Sequence, residues 1–204
     1  MNLLFIEKQV CSGEVLVSEQ AKLSGSMHDR EHLQSSCCDV LHITQPTREG
    51  VGNIVRQLAI QQSSAGHRVG VASPDDVEFT TPLIDAGCKH WMWDSVRSPV
   101  RGLWSESRRL LEILRKSRPR LLHVHSAKAG LVTRYTVRGK IPTLFQPNGW
   151  SFRAGPRWVR SSAHLFELVA AKHWTDRILC VSQSEADAVA GRVDASKLTV
   201  VPNG

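Results

Sequence analysis

Long apolar runs are missing from this chain. None approaches the roughly 18 consecutive residues that a membrane-spanning helix needs. The opening Leu3-Leu4-Phe5-Ile6 is cut short by Glu7 and Lys8, which makes a poor secretory leader. Cysteine is scarce and odd in number: there are five, with Cys37 and Cys38 adjacent and Cys180 inside an apolar, strand-like stretch. That set reads as reduced thiols packing as small hydrophobes, not as a secreted disulfide framework. Together these absences lead to the expectation of a soluble, cytoplasmic protein. Internal repeats and low-complexity tracts are also lacking. With 41% hydrophobic and 22% charged residues, the 204-residue chain has the composition of a globular domain with a sizeable core. Aromatic residues make up only 6% and form no surface run for base stacking. With no recognition motif either, nucleic acid is not expected as a partner despite a net charge of +7.

The charge is unevenly spread. Residues 1–38 carry three basic against five acidic side chains, so the excess belongs to the remainder. Between Arg97 and Arg120, eight Arg and Lys residues face only Glu106 and Glu112. Fixed positive charge of this kind suits a phosphorylated ligand or an anionic membrane face, and equally a solvated basic helix.

Residues 1–38 show no sustained period and read as a loosely ordered extension; residues 39–204 read as one domain. Within it Val40–Ile43 is a strand candidate, followed by turn formers from Gln45 to Asn53. Val51, Ile54, Val55, Leu58 and Ala59 then recur at helical spacing, and Gly66 suits a helix end. The alternation continues with strands at 68–72, 89–94, 121–126, 142–146, 177–181 and 198–201. Helices are expected at 101–118, 127–138, 157–174 and 183–190, the third with Leu165, Phe166, Leu168, Val169 and Trp174 on its apolar side. Strands alternating with helices over short loops predict an α/β, doubly wound, mainly parallel sheet with helices on both faces. Ending on Pro202-Asn203-Gly204 straight after a strand suggests a boundary where further chain follows.

Chemistry is expected at the carboxyl ends of the strands. Gly50-Val51-Gly52 opens a helix, where small residues and free N–H groups suit a phosphate or simply make a tight turn. The third glycine of a dinucleotide fingerprint would fall on Val55, and no Gly-Lys-Ser/Thr follows, so a triphosphate-binding loop is excluded. His123-Val124-His125-Ser126-Ala127-Lys128 lies at a strand-to-helix junction. The two histidines share a strand face, as metal ligands do, but no third ligand stands at useful spacing, so no metal is expected. Ser126 and Lys128 fall where a ligand would be held, and Lys128 reads equally as a solvated surface amine. His28 and His32 beside Cys37 and Cys38 mimic ligand spacing in an unpatterned segment and read as chance. Asn148-Gly149-Trp150-Ser151-Phe152 is either turn chemistry with aromatic packing or a carbohydrate platform. Ser182-Gln183-Ser184-Glu185 reads as a helix capping box.

In this order the segments resemble the N-terminal, acceptor-side half of family 4 retaining GT-B glycosyltransferases. The resemblance runs from Asp39 to Gly204. It rests on Val40–Thr44 with Glu49–Gly52, on Ala65–Val69, on His123–Gly130 with Leu131 and Arg134, on Pro147–Phe152, on Cys180–Glu185 and on Lys197–Gly204. The His-x-His-Ser-x-Lys-Ala-Gly and Pro-x-Gly-Trp-Ser-Phe segments are most similar to members that extend polyprenyl-diphosphate-linked sugars in surface-polysaccharide synthesis. The resemblance implies a Rossmann-like fold and transfer from a nucleotide-sugar to a lipid-linked or saccharide acceptor, with no cofactor or metal. Gly50, Gly52, Ser126, Lys128, Asn148, Gly149 and Trp150 would bind substrate. Asn148 would stand at a catalytic position where the family has His; an amide bonds a hydroxyl but carries no proton or charge. Glu49 stands where a glycine is common. A C-terminal donor-binding domain would complete the cleft, so this chain alone is expected to be inactive, and the basic stretch would meet the inner membrane face. The alternative is a non-enzymatic Rossmann-like module that binds a nucleotide or sugar-phosphate.

Overall fold

Short runs of Val, Ile and Leu form the strands, and amphipathic segments form the helices between them. The computed structural model describes residues 38–96, 98, 102–153 and 157–202. Of the extension read in 1–38, residues 1–37, with His28 and His32, lie outside them, while Cys38 opens the first strand; Arg97 and Arg101 also lie outside. In chain order the elements are β1 (Cys38–Thr44), α1 (Glu49–Ser64), β2 (Val69–Ser73), α2 (Val77–Asp85), β3 (Lys89–Met92), α3 (Leu103–Ser117) and β4 (Pro119–His125). They continue with α4 (Ala127–Val137), β5 (Thr143–Gln146), α5 (Arg157–His173), β6 (Arg177–Cys180), α6 (Gln183–Asp187) and β7 (Leu198–Val200).

The strands form one seven-stranded sheet in the order β3-β2-β1-β4-β5-β6-β7, every pair parallel. The chain winds outward from β1 in one direction, returns to β4 beside β1, and winds outward in the other. This is the Rossmann-like, doubly wound sheet expected from the alternation. Side chains alternate across it. Val40, Val71, Leu121 and Leu144 pack on Val55 and Ala59 of α1 and on Phe79 and Leu83 of α2. Leu41, Ile43, Leu122, Val124 and Phe145 pack on the opposite face, on Leu110 and Ile113 of α3, Val132 of α4 and Ala171 of α5. With both faces covered, β1 and β4 bury apolar side chains at successive positions, Val40-Leu41 and Leu121-Leu122, with His42, His123 and His125 as buried polar members.

Two elements depart from the sequence reading. Helix α2 has no counterpart in the sequence reading and carries Pro82 inside it. Proline removes the donor that would bond the Glu78 carbonyl; Arg56 Nη1 approaches that oxygen instead, at 3.5 Å. Helix α5 is rotated from its expected orientation. Leu165 and Val169 face solvent, and the buried positions are Glu167, Ala170 and Ala171. Glu167 turns inward because Arg134 of α4 is buried there: Arg134 Nη2 lies 2.7 Å from Glu167 Oε2, and its guanidinium sits 3.7 Å from the Phe145 ring centroid.

Candidate functional site

Between β1 and β4 the winding direction reverses, so the loops leaving these strands diverge and open a crevice at the carboxyl edge. A cavity of about 800 Å³ occupies it. Gln45 and Pro46 after β1, Ser126, Ala127 and Lys128 after β4, and Pro147, Asn148 and Gly149 after β5 supply one wall. Trp158, Phe166 and Glu167 of α5 supply another.

Ser126 joins β4 to α4 with φ 77° and ψ 159°, a conformation that costs a side-chain-bearing residue about 1–3 kcal/mol. Backbone bonds hold it there: its N–H donates to Gln146 O at 3.0 Å, and its carbonyl accepts from the Gly130 N–H at 2.9 Å. The Ser126 hydroxyl is buried without a hydrogen-bond partner. A strained residue that lines the cavity with an unpaired hydroxyl is suited to bonding a ligand.

Lys128 lies two residues on, and its ammonium is already engaged. Nζ donates to the Ser98 carbonyl at 2.7 Å and pairs with Glu106 Oε2 at 2.7 Å, with both side chains nearly buried. Glu106 also accepts the Val96 N–H at 2.9 Å. The pair ties α3 to α4 and neutralises the charge that the sequence placed in the crevice. The remaining basic residues described on α3, Arg108, Arg115 and Lys116, face solvent, and Arg109 pairs with Glu112 at 3.0 Å.

Asn148 takes a left-handed conformation, φ 49°, which asparagine tolerates better than most residues. Its Oδ1 accepts from Gln146 Nε2, and its Nδ2 donates to Gln146 O, each at 3.3 Å. The loop around it is clamped by Glu185 of α6. Glu185 Oε1 accepts the Gly149 N–H at 2.6 Å, Oε2 accepts the Val181 N–H at 2.8 Å, and its carbonyl accepts from Trp150 Nε1 at 2.8 Å. The expected capping box is therefore half present. Ser182 Oγ does accept the Glu185 N–H, at 3.2 Å, but the carboxylate bridges to the Asn148 loop. That bridge spans 36 residues and leaves no local pattern to read.

The structure does not bring every expected site residue to the cavity. Trp150 is 4% exposed and stacks on Phe152 at 5.4 Å, so it belongs to the core. Gly52 is buried against the preceding loop, and only glycine fits there, since a Cβ would fall 2.2 Å from the Thr47 carbonyl oxygen. Gly50 faces open space. Val51, between them, is the residue that lines the cavity. Glu49, where a glycine is common, has φ 61°, so the backbone keeps the glycine-like conformation that the side chain disfavours. Glu167, not singled out in the sequence, lines the cavity while bound to Arg134 and accepts from Ser151 Oγ at 3.3 Å.

The third histidine missing from the spacing argument is supplied by the fold. His42 of β1 pairs in register with His123 of β4, and His42, His123 and His125 are all wholly buried. Burial pushes His125 well below the ordinary histidine range, with the neighbouring His123 and His42 adding to it. Among the described residues no helix is long and apolar enough to cross a membrane.

Comparison with known proteins agrees with this geometry. The model of Glycosyltransferase Family 4 matches residues 48–204. A glycosyltransferase from Rickettsia africae superimposes with a TM-score of 0.60 at 17% identity, over 81% of this chain and 42% of its own. Sucrose-phosphate synthase from Thermosynechococcus elongatus gives 0.60 at 14%, over 81% and 48%. HepE from Anabaena, solved with UDP and glucose, gives 0.60 at 14%, over 82% and 44%. The chain thus spans less than half the length of these three proteins. No curated protein matches it.

Proposed function

Because the chain belongs to glycosyltransferase family 4, we propose that it is the acceptor-side half of an enzyme that moves a sugar from a nucleotide-sugar onto a lipid-linked or saccharide acceptor in surface-polysaccharide synthesis. The observation that carries this reading is the cavity at the point where the sheet reverses, with the unpaired Ser126 hydroxyl on its wall. Leu131, Trp158 and Phe166 give that cavity apolar walls suited to a prenyl chain or the face of a sugar ring. The Ser126 hydroxyl, the Asn148 amide and the Glu167 carboxylate are its polar groups. Ser126 bonds the acceptor, Asn148 bonds a hydroxyl of the transferred sugar, and Glu167 accepts from an acceptor hydroxyl. Asn148 orients and does not shuttle a proton. Lys128, held by Glu106, shapes the wall and leaves the donor's diphosphate to be neutralised by an opposing lobe. HepE's complex with UDP and glucose supports a nucleotide-sugar as the donor; it enters as co-substrate, and no cofactor is assigned to the transfer. Trp104 and Trp158, each about three-quarters exposed, with Arg157 and Arg160 near Trp158 on α5, suit peripheral contact with an anionic membrane face.

Titration of the chain with a polyprenyl-diphosphate-linked sugar in micelles, and separately with UDP-sugars, tests this. Acceptor binding is expected, weakened about 10-fold by Ser126→Ala or Asn148→Ala through loss of one hydrogen bond. Turnover is expected only when a donor-binding lobe is supplied. Robust transfer by this chain alone overturns the half-site reading. Tight UDP binding without acceptor binding instead favours a non-enzymatic nucleotide or sugar-phosphate module.

A further inference from the structure

His42, His123 and His125 share the sheet face that packs on α1, because residues two apart on a strand point the same way. A ligating nitrogen of each lies within 4.8 Å of those of the other two. His42 Nδ1 and His125 Nε2 stand 3.1 Å apart. Two nitrogens bound at about 2.0–2.1 Å to one tetrahedral ion are separated by roughly 3.3 Å, so this pair already brackets an ion's position. The His123 ring lies beside His125, centroids 4.0 Å apart, and supplies the third nitrogen.

The surrounding carbonyls match. His42 Nε2 donates to Gln62 Oε1 at 2.7 Å, the outer bond that orients metal-bound imidazoles, and it leaves the Nδ1 lone pair facing inward. Without an ion, His125 Nε2–H must donate to that lone pair, so His125 Nδ1 is a bare acceptor. Its neighbour across the β4–β5 register is Gln146. The Gln146 amide nitrogen is turned to Asn148, which leaves Oε1 as a second bare acceptor. The two side chains stand close enough to bond, yet with both atoms as acceptors neither His125 Nδ1 nor Gln146 Oε1 receives a proton. An ion in place of the Nε2 proton moves that proton to Nδ1, which then donates to Gln146 Oε1. One exchange of tautomer satisfies both groups.

We propose that His42, His123 and His125 form a binding site for a divalent transition-metal ion of the zinc class, with Gln62 and Gln146 as outer carbonyl partners. Three neutral imidazoles suit such an ion and leave a fourth position for solvent. The site lies directly beneath the crevice floor, one residue before Ser126, and an ion there pins β1 to β4 where the sheet reverses. This role is structural and independent of the transfer reaction.

The test is titration of the chelator-stripped chain with zinc by calorimetry and with cobalt(II) by visible absorption. One ion per chain is expected, with a four-coordinate cobalt spectrum free of thiolate charge-transfer bands. At a hundredfold excess of free zinc over the dissociation constant, Tm should rise by roughly 5–10 °C. His42→Gln and His125→Gln should each weaken binding at least 100-fold. Gln62→Leu keeps all three ligands and, by removing the outer bond, should weaken binding about 10- to 100-fold, which keeps the test decisive if the histidine variants do not fold. No stoichiometric binding by the stripped chain, an unchanged affinity in Gln62→Leu, or a thiolate spectrum from the N-terminal cysteines overturns the proposal.

Discussion

Glu167→Gln isolates the charge of a buried carboxylate while keeping its shape. In the native chain Glu167 Oε2 receives Arg134 Nη2 at 2.7 Å, with Arg134 fully buried. Once the carboxylate is neutralised, the guanidinium loses its counter-charge and keeps a neutral amide oxygen as acceptor, its bond from Nε to Gly130 O at 2.9 Å and its place over the Phe145 ring. Stranding one partner of a buried pair costs about 3–5 kcal/mol, and the hydrogen bond that the Gln oxygen still accepts from the charged guanidinium offsets about 1–2 of that. The expected net loss is therefore roughly 2–3 kcal/mol, a fall in Tm of about 5–10 °C for a domain of this size. Urea unfolding of the wild type, Glu167→Gln, Arg134→Met and the double variant Arg134→Met/Glu167→Leu gives the coupling. The double variant should regain most of the stability, since an apolar pair of similar volume replaces a buried ion pair at little cost. A loss below about 0.5 kcal/mol in Glu167→Gln, or a double variant no better than the worse single one, refutes the reasoning. The double variant should still bind acceptor poorly, because Glu167 also lines the cavity.

Gly52→Ala should lower the urea midpoint markedly, because its Cβ would meet the Thr47 backbone at 2.2 Å, whereas Gly50→Ala meets nothing and should leave the midpoint within error; equal effects would contradict the packing role of Gly52. Lowering pH should destabilise the chain from about pH 6.5 downward. There the unfolded His125 gains a proton that the folded form, held well below its usual range by burial, refuses. His90, also lowered by burial, adds to the same slope. Urea midpoints that stay flat or rise between pH 8 and 5 would contradict this. Burial, with Glu185 nearby, pushes the Cys180 thiol up to about 12, so a thiol reagent at pH 8 should modify it only after unfolding. Fast native labelling of Cys180, located by mass spectrometry, would count against the buried site.

The failures of the sequence reading have a common cause. Helix α5 shows the expected helical period, yet its buried face could not be read off, because the residue that decides it, Arg134, sits 33 positions earlier. Trp150 was read as a possible platform because an aromatic beside an Asn-Gly turn looks exposed; its indole N–H finds the Glu185 carbonyl and draws the ring into the core. Lys128 was read as either a ligand-holding or a solvated amine, and its ion pair was missed because Glu106 lies on another helix. The places of Ser126 and Asn148 on the cavity wall were legible, since Ser126 directly follows β4 and Asn148 stands two residues after β5, both among turn residues.

Local order, then, was determined by the sequence alone: which segments are strand or helix follows from side-chain period and from Gly and Pro, forces that act within a few residues. Tertiary structure alone decided which charges meet and which histidines gather. The His42–His123 register, the Lys128–Glu106 pair and the reach of Glu185 to the Gly149 N–H arise from strand order and helix docking. These contacts form between groups that the chain separates by tens of residues and burial then removes from water, where a partner becomes obligatory.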